Sequence, residues 1–254
     1  MQASMTLLVP VAVGGLIILL SRRLRWLTPS GQLAAVVVGL AVAVGSGWFG
    51  LGLLLVFFLT SSALGRYRAG AKPARTEPEG RSAPQVLANG GVAAALSVLT
   101  LAGWAHGAQY ALVGAVAAAA ADTWATEIGS AGSWPAWSVV NGSRVPAGRS
   151  GAVSLPGTAA AVAGAAAIGT VAALLAAVAA SPGSGESLGG AMRLLAPTPG
   201  WIPLGVLAGT AGMFADALLG ATLEDRIGLI GNDGVNLGCT LVGAGVAWLL
   251  AGGG

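Results

Sequence analysis

Ala111-Leu112-Val113-Gly114-Ala115-Val116-Ala117-Ala118-Ala119-Ala120-Ala121 runs straight into Asp122-Thr123-Trp124-Ala125-Thr126-Glu127-Ile128-Gly129. An unbroken series of small apolar residues ends in two carboxylates without an intervening turn signal. Carboxylates inside an apolar segment are costly, and their default meaning is function. Working outward, further apolar segments lie at about 5–20, 33–47, 49–64, 86–103, 157–180, 201–221 and 235–251, beside the quoted one at 107–128. The chain is 55% hydrophobic and 8% charged over 254 residues, against roughly 25% charged in soluble domains. Alternating ten-residue strand patterns are absent, so an all-α polytopic transmembrane bundle of about seven or eight helices, some short, is expected in place of a barrel. We read the chain as one transmembrane domain, 1–254.

The stretch Leu33 to Leu64 decides the helix count. As one helix it would be about 48 Å long, against a hydrocarbon core of about 30 Å. Gly45, Ser46, Gly47 and Gly50 offer a place to turn. Only with that turn do Arg22 to Arg25, Arg66 to Arg81, Arg144 with Arg149, and Arg226 fall on one side, which the positive-inside rule makes cytosolic. Both termini are then external, as is the Pro-, Gly- and Ser-rich connection Ser181 to Gly200. The segment Met5 to Leu20 has its arginines after it and reads as a retained helix, not a signal peptide. These arginines follow topology, so the net charge of +3 implies no nucleic-acid partner. Residues 65–85 read as a polar cytosolic loop, and 129–156 as a cytosolic loop that binds phosphate. The expected location is the plasma (inner) membrane, with the site facing the cytosol.

Polar residues gather in a few motifs. Asp122 and Glu127 are favoured metal ligands, although they do not share a face of an ideal helix and would need the helix to loosen near Gly129 to bind one ion. Gly148-Arg149-Ser150-Gly151-Ala152-Val153-Ser154-Leu155-Pro156-Gly157-Thr158 precedes a long helix. Small residues, a helix N-terminus and Arg149 make it a phosphate cradle, while glycines of this kind also serve simple turns. In Gly231-Asn232-Asp233-Gly234-Val235-Asn236, Asp233 and Asn236 can present oxygen ligands together, and Asn232 or Asp233 equally suits an N-cap. Asp216 lies in an apolar helix, within an echo, Ala215-Asp216, of Ala121-Asp122. Gln85 and Asn89, four apart, suit either a ligand or a bond between helices. Cys239 reads as a small core residue. His106 is the only histidine, which argues against a Ser-His-Asp triad or a zinc site. Oxygen ligands, arginines and glycine loops remain, a set suited to Mg²⁺-dependent work on phosphates.

At these motifs the chain resembles a family of integral-membrane prenyl-phosphate kinases that includes a plant phytyl-phosphate kinase and many bacterial proteins. The resemblance rests on Gln85 to Gly90, Ala121 to Gly129, Ser150 to Thr158, Asp216 to Thr222 and Asn232 to Asn236. A fainter likeness extends to dolichol kinase and the membrane cytidylyltransferases. It implies transfer of the γ-phosphate of CTP, or another nucleoside triphosphate, to a prenyl monophosphate such as phytyl, geranylgeranyl or farnesyl phosphate. Catalysis would rest on Asp122, Glu127, Arg149 and Asp233. Mg²⁺ would sit on Asp122, Glu127 and Asp233, with Asp216 and Asn236 completing its shell. Arg144, Ser150, Gly151, Ser154, Gly157, Thr158 and Asn89 would hold the nucleotide. Arginine takes the role of the motif lysine of soluble NTPases, since the chain's single lysine is Lys72. The implied partners are the nucleotide, the prenyl phosphate and the lipid bilayer, with a homodimer as the one protein partner considered. A cytidylyltransferase, a polyprenol kinase and an ion or proton transporter are the competing readings.

Overall fold

The computed structural model describes residues 14–15, 19–71, 80–180, 200–224 and 230–252, with the side chains of 68–71 and 105–106 left aside. Most of the expected first helix, the middle of the 65–85 loop, the external connection 181–199, Asp225 with Arg226, and the His106 side chain lie outside the described residues. The fold is the expected helical membrane bundle. Among the described residues its long helices are α1 (Pro29–Ala71), α2 (Ala83–Leu101), α3 (Ala105–Gly129), α4 (Leu155–Ala179), α5 (Trp201–Leu219) and α6 (Asn232–Leu250). All but α3 are long and apolar enough to cross a membrane.

α1 is two helices joined at Gly47, whose φ of 57° and ψ of −146° are not helical. A side chain disfavours that left-handed region, and glycine does not. The chain folds back there. Arg66 Nη2 donates to the carbonyl of Leu24 at 2.8 Å, whereas a straight helix would carry Arg66 roughly 55 Å beyond Pro29. Residues 26–28 also join 80–82: Arg81 N–H donates to Trp26 O, and Thr28 N–H to Arg81 O. The arginines of 22–25, Arg66 and Arg81 therefore share one end of the bundle, as the split requires.

The quoted stretch forms the central helix. α3 packs against α1, α2, α4, α5 and α6, and residues 107–121 are buried without exception. Alanine suits this place. It has the highest helix propensity, and its small side chain lets neighbouring backbones approach, the usual means of packing in lipid. Against α6, a Cβ on Gly243 would lie 2.5 Å from both Ala118 Cβ and Gly114 O. A helix ringed by helices needs less lipophilic bulk than its neighbours, which explains why α3 alone lacks a membrane-crossing composition.

One element departs from an all-α reading. The 129–156 loop carries a small antiparallel sheet, β1 (Ala136–Ser138), β2 (Arg144–Val145) and β3 (Ala152–Val153), in the order β2-β1-β3. Strands of two or three residues are too short to show a period of two. Trp137 pairs with both Arg144 and Val153, so these share one face, while Ala136, Ser138, Val145 and Ala152 share the other.

Candidate functional site

A cavity of about 150 Å³ lies where the C-terminal end of α3, the end of α5, the sheet and the first turn of α4 converge. Asp122 lines it from α3, and Asp216 lines it from α5. Their carboxyl groups are within hydrogen-bond reach of each other. The Asp216 Oδ1 atom is buried and has no hydrogen-bond partner among the described residues. The two members of the Ala-Asp echo thus face one another across the helix interface.

The glycine loop forms the opposite wall. Arg149, Ser150, Gly151, Ser154, Gly157 and Thr158 all line the cavity. Ser154 N-caps α4, its Oγ accepting the N–H of Gly157 at 3.2 Å. The N-terminal end of α4 and its positive partial charge therefore border the cavity. Gly157 also packs on α3, where a Cβ would come 3.1 Å from Ala125 O and 3.3 Å from Gly129 Cα. Gly151 has φ +74, and a Cβ there would run into Ala221 and within 2.8 Å of Ala217 O on α5. This glycine lets the loop lie directly on α5.

Past Leu219, α5 widens into a π-helical turn, Gly220–Glu224. Such turns often occur at functional sites. Glu224 lines the cavity, lies near enough to Asp216 to interact with it electrostatically, and accepts the Ser150 hydroxyl at 3.1 Å. Sequence reading counts Glu224 among the costly acidic residues of apolar helices without assigning it a place in the site, and eight residues of regular helix would not set it beside Asp216. Thr126, Ser130 and Asn232 also line the cavity.

The remaining candidates lie elsewhere. α3 stays helical to Gly129, so it does not loosen to bring Glu127 beside Asp122. Glu127 turns toward α1, where a Cβ on Gly65 would lie 3.7 Å from its Oε1, and toward Arg81. Burial lowers the pKa of the Arg81 guanidinium, and the Glu127 carboxylate opposes that shift. Arg81 also stacks over Phe57 at 5.6 Å. At the start of α6, Asn232 lines the cavity but Asp233 and Asn236 do not, and Arg144 is exposed on the far face of the sheet. Gln85 Oε1 accepts the N–H of Ser82 in a capping box, and Asn89 Nδ2 donates to Gln85 O. Both amides thus bond within α2, neither lining the cavity nor bridging to another helix. Cys239 is buried and donates to Ala118 O at 3.6 Å. Among the described residues, no group of three or more His, Cys, Asp or Glu side chains is placed to hold a metal ion.

An uncharacterized membrane protein of Methanocaldococcus jannaschii is 30% identical to the chain over 247 residues, covering 96% of this chain and 93% of its own length. Protein PGR of Arabidopsis thaliana is 31% identical over 237 residues, covering 86% of this chain and 79% of its own. An uncharacterized membrane protein of a Synechocystis strain is 29% identical over 230 residues, covering 88% and 82%. No solved structure matches the chain. The family model described as "Integral membrane protein DUF92" matches residues 12–244, and the chain belongs to that family of multi-pass membrane proteins.

Proposed function

We propose that the protein is a phosphotransferase of the membrane surface, moving the γ-phosphate of a nucleoside triphosphate, CTP in the first instance, to a prenyl monophosphate. The observation that carries this reading is the convergence, in one cavity at the bundle's end, of a carboxylate pair with a glycine loop, Arg149 and a helix N-terminus. A transporter needs polar groups spaced along a path, whereas these groups gather at one end. The site would face the cytosol from the plasma membrane, since the arginine-bearing segments share its end.

The cavity fits Mg²⁺. Two carboxylates within hydrogen-bond reach, one with an orphaned buried oxygen, are poorly placed unless a cation or a proton lies between them. Mg²⁺ is commonly held by only one or two carboxylates together with substrate phosphates, which suits a site without a third acidic ligand on the same ion. Asp122 and Asp216 would hold it, and its charge would offset that of the triphosphate. Ser150 and the first turn of α4 would bind phosphate oxygens, and Arg149 would stabilise charge on the transferring group. An acceptor oxygen of the prenyl phosphate forms a bond to the γ-phosphorus, the β–γ bridging bond breaks, and the nucleoside diphosphate leaves. A phosphate monoester is largely a dianion at pH 7, so no general base is required. The tail of the acceptor stays in the bilayer.

Purified protein in detergent, given Mg²⁺, γ-labelled CTP and a panel of prenyl monophosphates, should form labelled prenyl diphosphate, and an Asp122→Asn variant should not. Label released as inorganic diphosphate would replace the kinase with a nucleotidyltransferase. No turnover on any acceptor would return the site to ion transport.

A further inference from the structure

Beside the carboxylate cavity lies a second, of about 200 Å³, and Arg149 and Ser150 line both. Their characters differ. Asp122, Asp216 and Glu224 line the first cavity, and no acidic residue lines the second. Its walls include Ser138, Asn141 and Ser143 of the β1–β2 hairpin, and Ala221 from the end of α5. We infer that this second cavity holds the nucleoside of the phosphate donor, with the Asn141 amide reading the base, an assignment that rests on the phosphotransfer proposed above.

The placement follows from what each substrate must do. A prenyl acceptor keeps its tail in the bilayer, so its phosphate reaches the carboxylates from the membrane side. The donor is soluble and must lay its terminal phosphate at the carboxylates while its nucleoside lies elsewhere. A cavity walled mainly by loop residues, joined to the first through Arg149 and Ser150, offers that route.

The hairpin is set for hydrogen bonding to an uncharged ring. Asn141 Oδ1 accepts both the N–H and the hydroxyl of Ser143, at 3.0 and 2.7 Å. That fixes the amide plane and leaves both Nδ2 hydrogens without a partner among the described residues. Ser138 Oγ accepts the N–H of Val140 at 3.3 Å, and its own proton remains to donate. The Nδ2 group can donate to an acceptor on the base edge, such as N3 of cytosine. Uracil carries N–H at N3, which sets donor against donor, so the amide accepts one base edge and not the other.

The test is equilibrium binding of labelled CTP and UTP to the purified protein in detergent with Mg²⁺, with inorganic tripolyphosphate as competitor, in wild type, Asn141→Ala and Asn141→Ser. The serine variant keeps a side-chain acceptor for the turn but loses the amide donors. We expect CTP to bind at least about tenfold more weakly to both variants. Its preference over UTP should vanish, and tripolyphosphate affinity should stay within about threefold. Wild-type affinity in Asn141→Ser, or a parallel loss of tripolyphosphate, would reduce Asn141 to a structural role and overturn the assignment. If wild type shows Asn141-dependent CTP binding yet transfers no phosphate to any prenyl phosphate, the kinase reading falls and the nucleoside site stands. If it binds no CTP, both fall.

Discussion

Two polar clusters sit on the same central helix, and they solve the same problem in opposite ways. At one end, Gln109 Nε2 donates to Ser46 Oγ at 3.1 Å and Ser46 bonds to Ser97 Oγ at 2.8 Å, while Ser97 donates to Ala93 O. Each group donates to the next in the chain, tying α3 to α1 at its Gly47 break and to α2. Thirteen residues on, about 20 Å along the helix, Asp122 meets Asp216. Each cluster leaves one buried oxygen without a partner, Gln109 Oε1 in the first and Asp216 Oδ1 in the second. An orphaned neutral carbonyl costs about 1–3 kcal/mol, which a bundle can absorb. An orphaned carboxylate costs far more unless a proton or a cation neutralises it. The first cluster holds helices together, whereas the second lines the cavity in which we place the phosphotransfer.

The largest effect should come from breaking the second cluster. Asp216→Asn should cut phosphate transfer about 100- to 1,000-fold, the range seen when one electrostatic stabiliser is removed. Adding Asp122→Asn should cost little more, because groups acting as a unit are not additive. Thermal melting in detergent should hold or rise, since a buried like-charge pair is relieved. A lowered melting point with activity retained would make the pair structural, like its counterpart at the other end.

Next comes the loop that covers the carboxylates. Gly151→Ala should cost about 1–2 kcal/mol for a left-handed alanine and about a further 1–3 kcal/mol for crowding against α5. Since each 1.4 kcal/mol is tenfold in an equilibrium, the loop should undock, with transfer falling about tenfold or more. Limited proteolysis within 130–154 reads the undocking directly. The bundle should melt as before, because no contact between two transmembrane helices changes. Equal cleavage of variant and wild type would show that the loop does not depend on this glycine.

The difference between the clusters also explains what could be read in advance. Arithmetic on Leu33 to Leu64 forces a turn near Gly47, and the alanine run names a helix, because length and period are local. The carboxylates and the glycine loop were legible for a similar reason, as costly or unusual residues in apolar surroundings. Pairing was not. Asp122 meets Asp216 across 94 positions, and only the repeated Ala-Asp hinted at it. Glu127, five residues beyond Asp122, is turned about 140° around a regular helix, so chemistry grouped what geometry separates. Glu224 depends on a π-helical turn, which leaves no periodic trace. The sheet is built from strands too short to alternate.

The smallest effect should come from the neutral cluster. Gln109→Leu removes the orphaned oxygen together with the bond to Ser46, and interhelical hydrogen bonds in lipid average about 0.6 kcal/mol. Loss and relief nearly cancel, so chemical denaturation in detergent should show a change under about 1 kcal/mol, with phosphate transfer unaltered. Ser46 keeps its bond to Ser97, and α1 keeps its fold at Gly47. A loss of activity on the scale of Asp216→Asn would mean that the two clusters form one polar path along α3. That result would favour transport over transfer, because a kinase whose substrates meet at one end has no use for a polar group 20 Å away.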